Sequence, residues 1–242
     1  MRFVLVALLA FFSVQAISSP RSQELRINPA RAIGIDAPIT QNVNALKVRM
    51  LALASDKSGK PIDIVIDSPG GSVFAGFQFV NAMEEVKGMG VQIRCFVNGI
   101  AASMAFQIFV HCSERHALGR SFLLWHGVRT GVRGPVTSKV AASLHVDLQA
   151  IDNVILSELN EELGLDEDVI LYHFDQETLH VGQNLAKLAP KFLTVHKFVS
   201  GLNEAMNNPA VLKNSQSNSI FELSSGSQNE DGDIEYIYRG KK

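Results

Sequence analysis

Cysteine is nearly missing from this chain: Cys95 and Cys112 are the only two among 242 residues. They lack the clustered spacing of metal ligands, so no metal is expected. In an oxidising compartment the two could pair, but both sit in apolar stretches, where two buried free thiols are an equal reading. A run of one charge sign is also missing from the body. Lys and Arg total 22 against 24 for Asp and Glu, a net charge of −2. That balance argues against a polyanion-binding surface, so nucleic acid is not expected as a partner. Beyond the N-terminal region no segment is apolar for the roughly 20 residues a membrane-spanning helix needs. No glycine-rich turn is followed by Gly-Lys-Ser or Gly-Lys-Thr, which excludes a P-loop, and no cofactor is expected.

What is present is an ordinary globular composition, 46% hydrophobic and 19% charged. The length suggests one domain with appendages. Met1-Arg2 gives a short positive start, residues 3–12 an apolar run too short to span a bilayer, and Val14-Gln15-Ala16 a small-residue cleavage site. Together they read as a secretory signal peptide over residues 1–16, and so as a periplasmic or secreted protein. The alternative is an uncleaved N-terminal anchor. Residues 17–31 form an irregular leader, 32–206 the folded domain, and 207–242 a tail with too few apolar residues to pack, expected to be disordered.

Within the domain, short apolar strands alternate with helical patterns. Strands are expected at 32–35, 62–66, 91–97, 115–118, 121–125 and 192–195. Helices are expected at 42–54, 73–86, from about 101 to 110, 137–163, 166–172 and 181–188. Gly164 closes the long helix. The alternation implies an α/β fold with a mostly parallel sheet.

Three segments carry chemistry. Gly99-Ile100-Ala101-Ala102-Ser103-Met104 is a small-residue turn from strand into helix, which presents the Ser103 hydroxyl at a helix N-terminus. The unpaired first N–H groups there, that of Met104 among them, suit a developing oxyanion. Ser103 could equally be an N-cap. Ser68-Pro69-Gly70-Gly71 follows an apolar strand, and the Gly71 amide could be a second oxyanion donor or the loop a plain turn. His126 ends a strand at the sheet's carboxyl edge, where an imidazole could act as base for Ser103. A structural histidine is the competing reading, and six other histidines are present. For a carboxylate to orient the base, Asp175 is the choice, with Glu177 and Asp168 as competitors.

These segments, in order, resemble the proteolytic subunit of the Clp protease family, within the ClpP/crotonase fold. IDSPGGSVFAG is similar to its strand, Ser-Pro-Gly-Gly loop and helix. NGIAASMAF is similar to the block of its nucleophile, and RHALGRSFLLWH to the block ending in its histidine. The 137–163 helix resembles the handle by which two rings of subunits meet, and LHVGQNLAKLA, more loosely, the helix after its aspartate. The resemblance implies a repeated β-β-α spiral with a protruding handle helix. It implies a serine endopeptidase with Ser103 as nucleophile, His126 as base, Asp175 as acid, and Gly71 and Met104 as oxyanion amides. It further implies a homo-oligomeric ring acting on unfolded or short peptides. The family's ATP-driven unfoldases would lack ATP outside the cytoplasm. The family's aspartate stands three residues before a leucine, which here, counted from Leu179, gives Gln176, so Asp175 is off by one.

Three other readings stay open: a catalytically impaired scaffold or binding protein, a crotonase-like acyl-CoA enzyme, and a Ser/Lys peptidase using Lys139.

Overall fold

A computed structural model describes residues 25–132 and 134–217. The expected signal peptide, residues 1–16, lies outside them. No helix among the described residues is long and apolar enough to cross a membrane. The elements run β1 (Ala32–Ile35), α1 (Asn44–Ala54), β2 (Ile62–Ser68), α2 (Val73–Gly88), β3 (Ile93–Ala102), α3 (Met104–Val110), β4 (Glu114–Leu118), β5 (Phe122–Leu124), α4 (Ser138–Leu163), α5 (Glu167–Gln176), β6 (His180–Val181), α6 (Gly182–Leu188), β7 (Thr194–His196), α7 (Leu202–Asn207), β8 (Leu212–Lys213) and α8 (Asn214–Ser217). The mixed α/β class expected from the alternation is the one observed.

The strands form one sheet ordered β6-β5-β3-β2-β1-β8, with β4 pairing β3 and β7. Every pairing is parallel except β5 with β6. β2 is buried along nearly its whole length because both faces of a parallel sheet are covered. Alternation divides its side chains: Ile64 and Ile66 enter the larger core with α1, α2 and α3, whereas Val65 enters a smaller one with Ile27, Phe96, Leu202 and Val211. Asp63 is fully buried in β2 and paired in register with Arg94 of β3, whose guanidinium donates to both carboxylate oxygens at 2.7 and 3.0 Å. The bidentate geometry compensates two charges that would be costly to bury singly.

β3 carries the site. Arg94–Val97 pair with β4, while Ile100–Ala102 pair with β5. The second pairing extends the strand five residues beyond the expected end at 97. α3 therefore starts only at Met104, and Ser103 sits at the junction rather than inside the helix. α5 continues to Gln176 instead of 172, because Ile170 and Phe174 are both buried on one of its faces.

The segment expected as a disordered tail begins structured. Val211 is buried, Leu212–Lys213 pair with Ile33–Gly34, and buried Asn214 accepts from the Asp36 amide at 2.9 Å and donates to the Ala37 carbonyl at 3.0 Å. A side-chain amide thus continues the edge pairing past the last strand. Residues 218–242 of that tail lie outside the described part.

Cys95 and Cys112 form a disulfide with a Cα–Cα distance of 5.9 Å. This settles between the two readings of the pair.

Candidate active site

The site assembles where β2, β3 and β5 end together. Ala102 pairs with Leu124, and the Ser103 amide donates to the Leu124 carbonyl at 2.9 Å. Trp125 and His126 therefore leave β5 alongside the residue where β3 turns into α3. At that turn Ser103 has φ 54° and ψ −126°, one of three non-glycine residues with positive φ among the described residues. Such a conformation is unfavourable for a residue with a Cβ and persists only where its surroundings enforce it. Ser72 and Thr137 hold the first turns of α2 and α4 as side-chain caps, but Ser103 makes no capping bond. The capping reading of Ser103 therefore fails, and its hydroxyl is available.

The Ser-Pro-Gly-Gly loop closes on this turn. A register shift between Ile66 and Ser68 brings Ser68 beside Ala101. A Cβ on Gly70, at φ 93°, would lie 2.5 Å from the Ala102 carbonyl oxygen and 2.9 Å from the Met104 nitrogen. Only glycine fits between them. Gly71 bridges to Ile39 through its neighbours: Ile39 donates to the Gly70 carbonyl and Ser72 to the Ile39 carbonyl, both at 2.8 Å. In a parallel bridge of this kind the Gly71 N–H points to the opposite side. Met104, as the first residue of α3, has no intrahelical acceptor for its N–H.

Gly71, Ser103, Met104 and His126 line a single cavity of about 170 Å³, together with Gln107, Trp125, Val128, Arg129 and Ile155 among others. The His126 Nδ1 lies 2.6 Å from the Gly127 carbonyl oxygen. A carbonyl only accepts, so Nδ1 carries a proton, and in the neutral ring this leaves the lone pair on Nε2. Asp152 of α4 fixes the following peptide by accepting from the Val128 amide at 2.7 Å. Behind the histidine, buried Trp125 stacks on His180 with centroids 4.6 Å apart.

The acids fall differently from the sequence expectation. Asp175 is exposed on α5, outside the cavity lining, and makes no side-chain hydrogen bond or ion pair among the described residues. Asp168 is exposed in the first turn of the same helix. Glu177, in a left-handed conformation at the α5 C-terminus, pairs with Arg129. The hydrogen bond from Arg129 holds its carboxyl below the usual range, and nearby His126 adds to the effect. Glu177 is thus near enough to His126 for the two to interact. No side-chain carboxylate among the described residues hydrogen-bonds His126 itself. Lys139 is exposed in the first turn of α4 and does not line the cavity, which removes the Ser/Lys reading. Arg129 and Gln107 went unnoticed in the sequence. Arg129 lies in a Gly/Arg loop without pattern, and Gln107 shows only as a polar residue inside an apolar helix. No group of three or more metal-ligating side chains occurs among the described residues.

Comparison with known proteins bears on the same segments. Residues 21–183 match the Clp protease family. The chain is 30% identical over 161 residues to "ATP-dependent Clp protease proteolytic subunit 1" of Chlamydia abortus, covering 64% of this chain and 81% of that protein. It is 31% identical over 105 residues to the corresponding subunit of Porphyromonas gingivalis, covering 43% of this chain and 46% of that one. The Bacteroides thetaiotaomicron subunit is 37% identical over 93 residues, 38% of this chain and 41% of that protein. The chain thus spans about half the length, or less, of two of these relatives. The matched region includes the Gly-Gly loop, the Ser103 turn and His126. With the fold, the order of these segments and the match to two thirds of its length in agreement, the chain belongs to the Clp protease family.

Proposed function

We propose that this chain is a serine endopeptidase. The observation that carries this reading is the single cavity that Ser103, His126, Gly71 and Met104 all line. Membership in a protease family supports it. In this mechanism the His126 Nε2 takes the Ser103 proton as Oγ attacks a peptide carbonyl. The Gly71 and Met104 N–H groups stabilise the oxyanion, the imidazolium returns the proton to the leaving amine, and water releases the acyl-enzyme. The Gly127 carbonyl fixes the tautomer that the base needs, and Glu177, paired with Arg129 and near enough to interact with the histidine, is the acid we assign to it. Glu177 thus replaces Asp175 as the acid of this site. No cofactor is needed.

The substrates are unfolded or short peptides, laid extended along the Gly70-Gly71 loop. A homo-oligomeric ring accords with α4, which buries no residue before Ile155 and exposes Val140 and Val146. We place the protein outside the cytoplasm, in the periplasm or secreted. The N-terminal apolar run and its cleavage site support this, and the disulfide fits an oxidising compartment. An unfoldase driven by ATP has no fuel there. The relatives' names say "ATP-dependent" of those proteins, and that property is not carried over.

The experiment is labelling by a fluorophosphonate probe. Wild type should be labelled at Ser103, and Ser103→Ala should lose labelling while keeping its circular dichroism spectrum. Equal labelling of both would refute the assignment. A second reading, a non-catalytic scaffold of the same fold, draws on the lack of a carboxylate bonded to His126. Unlabelled but folded wild type is its expected result.

A further inference from the structure

The wall of the cavity beside Ser103 is not uniformly apolar. Val73, Met104, Val128 and Ile155 form its sides, but Gln107 also lines it. Gln107 stands one helical turn after Ser103 on α3, on the same face, and is only 3% exposed. Its side-chain amide nitrogen donates to the Glu158 carboxylate of α4. The amide is planar, so a donor held by Glu158 turns the carbonyl oxygen away from that helix. That oxygen has no hydrogen-bond partner among the described residues, yet is not among their fully enclosed unpaired atoms. It is an unpaired acceptor on a residue that lines the cavity.

We infer that this cavity receives the side chain preceding the scissile bond and selects one tipped by an uncharged hydrogen-bond donor, with glutamine the best fit. The inference rests on the peptidase reading and names the substrate class of that site. An apolar side chain of similar size would fill the space but leave the Gln107 oxygen desolvated and unpaired, which a polar site penalises. A lysine would meet no uncompensated negative charge. Glu158 faces His111 at 3.4 Å, His111 faces Glu84 at 3.3 Å, and Glu84 pairs with Lys87 at 2.6 Å. Burial pulls His111 down, but the two carboxylates outweigh it and raise its pKa, which favours a cation between Glu158 and Glu84. Arg129 also lines the cavity and already occupies Glu177, so that carboxylate is not open to a cation either.

The test uses the full chain and acetyl-tetrapeptide aminomethylcoumarins that differ only in the residue before the cleaved bond: Gln, Leu or Lys. Wild type should show kcat/KM for Gln at least about 10-fold above that for Leu or Lys. Gln107→Leu should invert the Gln/Leu ratio, while its Ser103 is still labelled by fluorophosphonate. Should that variant fail to fold, Glu158→Ala at a half-buried position frees the Gln107 amide and should shrink the ratio toward 1. Wild type that cleaves the Leu peptide as fast as the Gln peptide overturns the inference. So does an unchanged ratio in a variant with normal labelling. Absence of labelling in the wild type overturns the peptidase reading, and this inference with it.

Discussion

Two glycines hold the geometry on which the proposed chemistry depends. Gly70 lies against the Ala102 carbonyl, the Ser103 Cβ and the Met104 nitrogen, so any side chain there displaces the nucleophile's turn directly. Gly70→Ala should reduce the rate of fluorophosphonate labelling by about 10² or more, the scale at which one oxyanion donor counts. A labelling time course beside a thermal melt separates this from unfolding. Glu177 poses a subtler case, because it is exposed and shared between Arg129 and the field at His126. Glu177→Gln should lower kcat by roughly 10-fold, because in the proposed mechanism it is the acid beside His126. Asp175→Asn, by contrast, should leave kcat within about 2-fold, because Asp175 touches nothing at the site. Steady-state kinetics on a fluorogenic peptide check both.

At the scale of elements, the disulfide ties β3 to the end of α3 with Ser103 between them. Cys95 is fully buried in β3, Cys112 is 3% exposed just past α3, and their separation is 17 residues. α3 has only seven residues, too few to be stable without tertiary support. Closing a loop of this length is worth about 3 kcal/mol. Cys95→Ala with Cys112→Ala should therefore lose about that much in urea denaturation. The same loss on treating wild type with a dithiol reductant would attribute it to the cross-link rather than to lost packing. Element boundaries show where local pattern stops being informative. α5 reads as ending near 172 because Tyr172 and His173 interrupt the apolar spacing, but burial of Phe174 carries it one turn further. That extra turn places Asp175 on the helix surface and leaves Glu177 as the cap.

For the whole molecule, pH acts through the histidines packed behind the site. Burial, with His173 as a second cause, lowers the pKa of His180 to about 4. Its rings meet Trp125 and His173 at 4.6 and 4.5 Å. In the unfolded chain His180 titrates near 6.5. Between the two values the unfolded state binds more protons, so the stability contributed through His180 falls as pH drops from about 6.5 toward 4 and is constant above that window. His180→Phe, which keeps the stack without the titrating group, should flatten this slope. Urea midpoints at pH 7 and pH 5 measure it. Wild type should lose more than the variant between them.

The sequence by itself determined the class of fold, most element positions and the identity of Ser103, His126, Gly70 and Gly71 as candidates. Those follow from local causes: alternating apolar periodicity, small residues at a strand-to-helix turn, and paired glycines after a buried strand. It also singled out the signal-like N-terminus, which lies outside the described residues. Only the tertiary structure decided what depends on register and on residues distant in the chain. The pairing of Ala102 with Leu124 sets Ser103 beside His126. Folding of α5 against the core puts Asp175 on the helix surface and Glu177 against Arg129. The approach of Cys95 to Cys112 makes them a disulfide, and contact between α3 and α4 bonds Gln107 to Glu158. None of these is encoded in a window of a few residues, because each is fixed by packing between elements far apart in sequence.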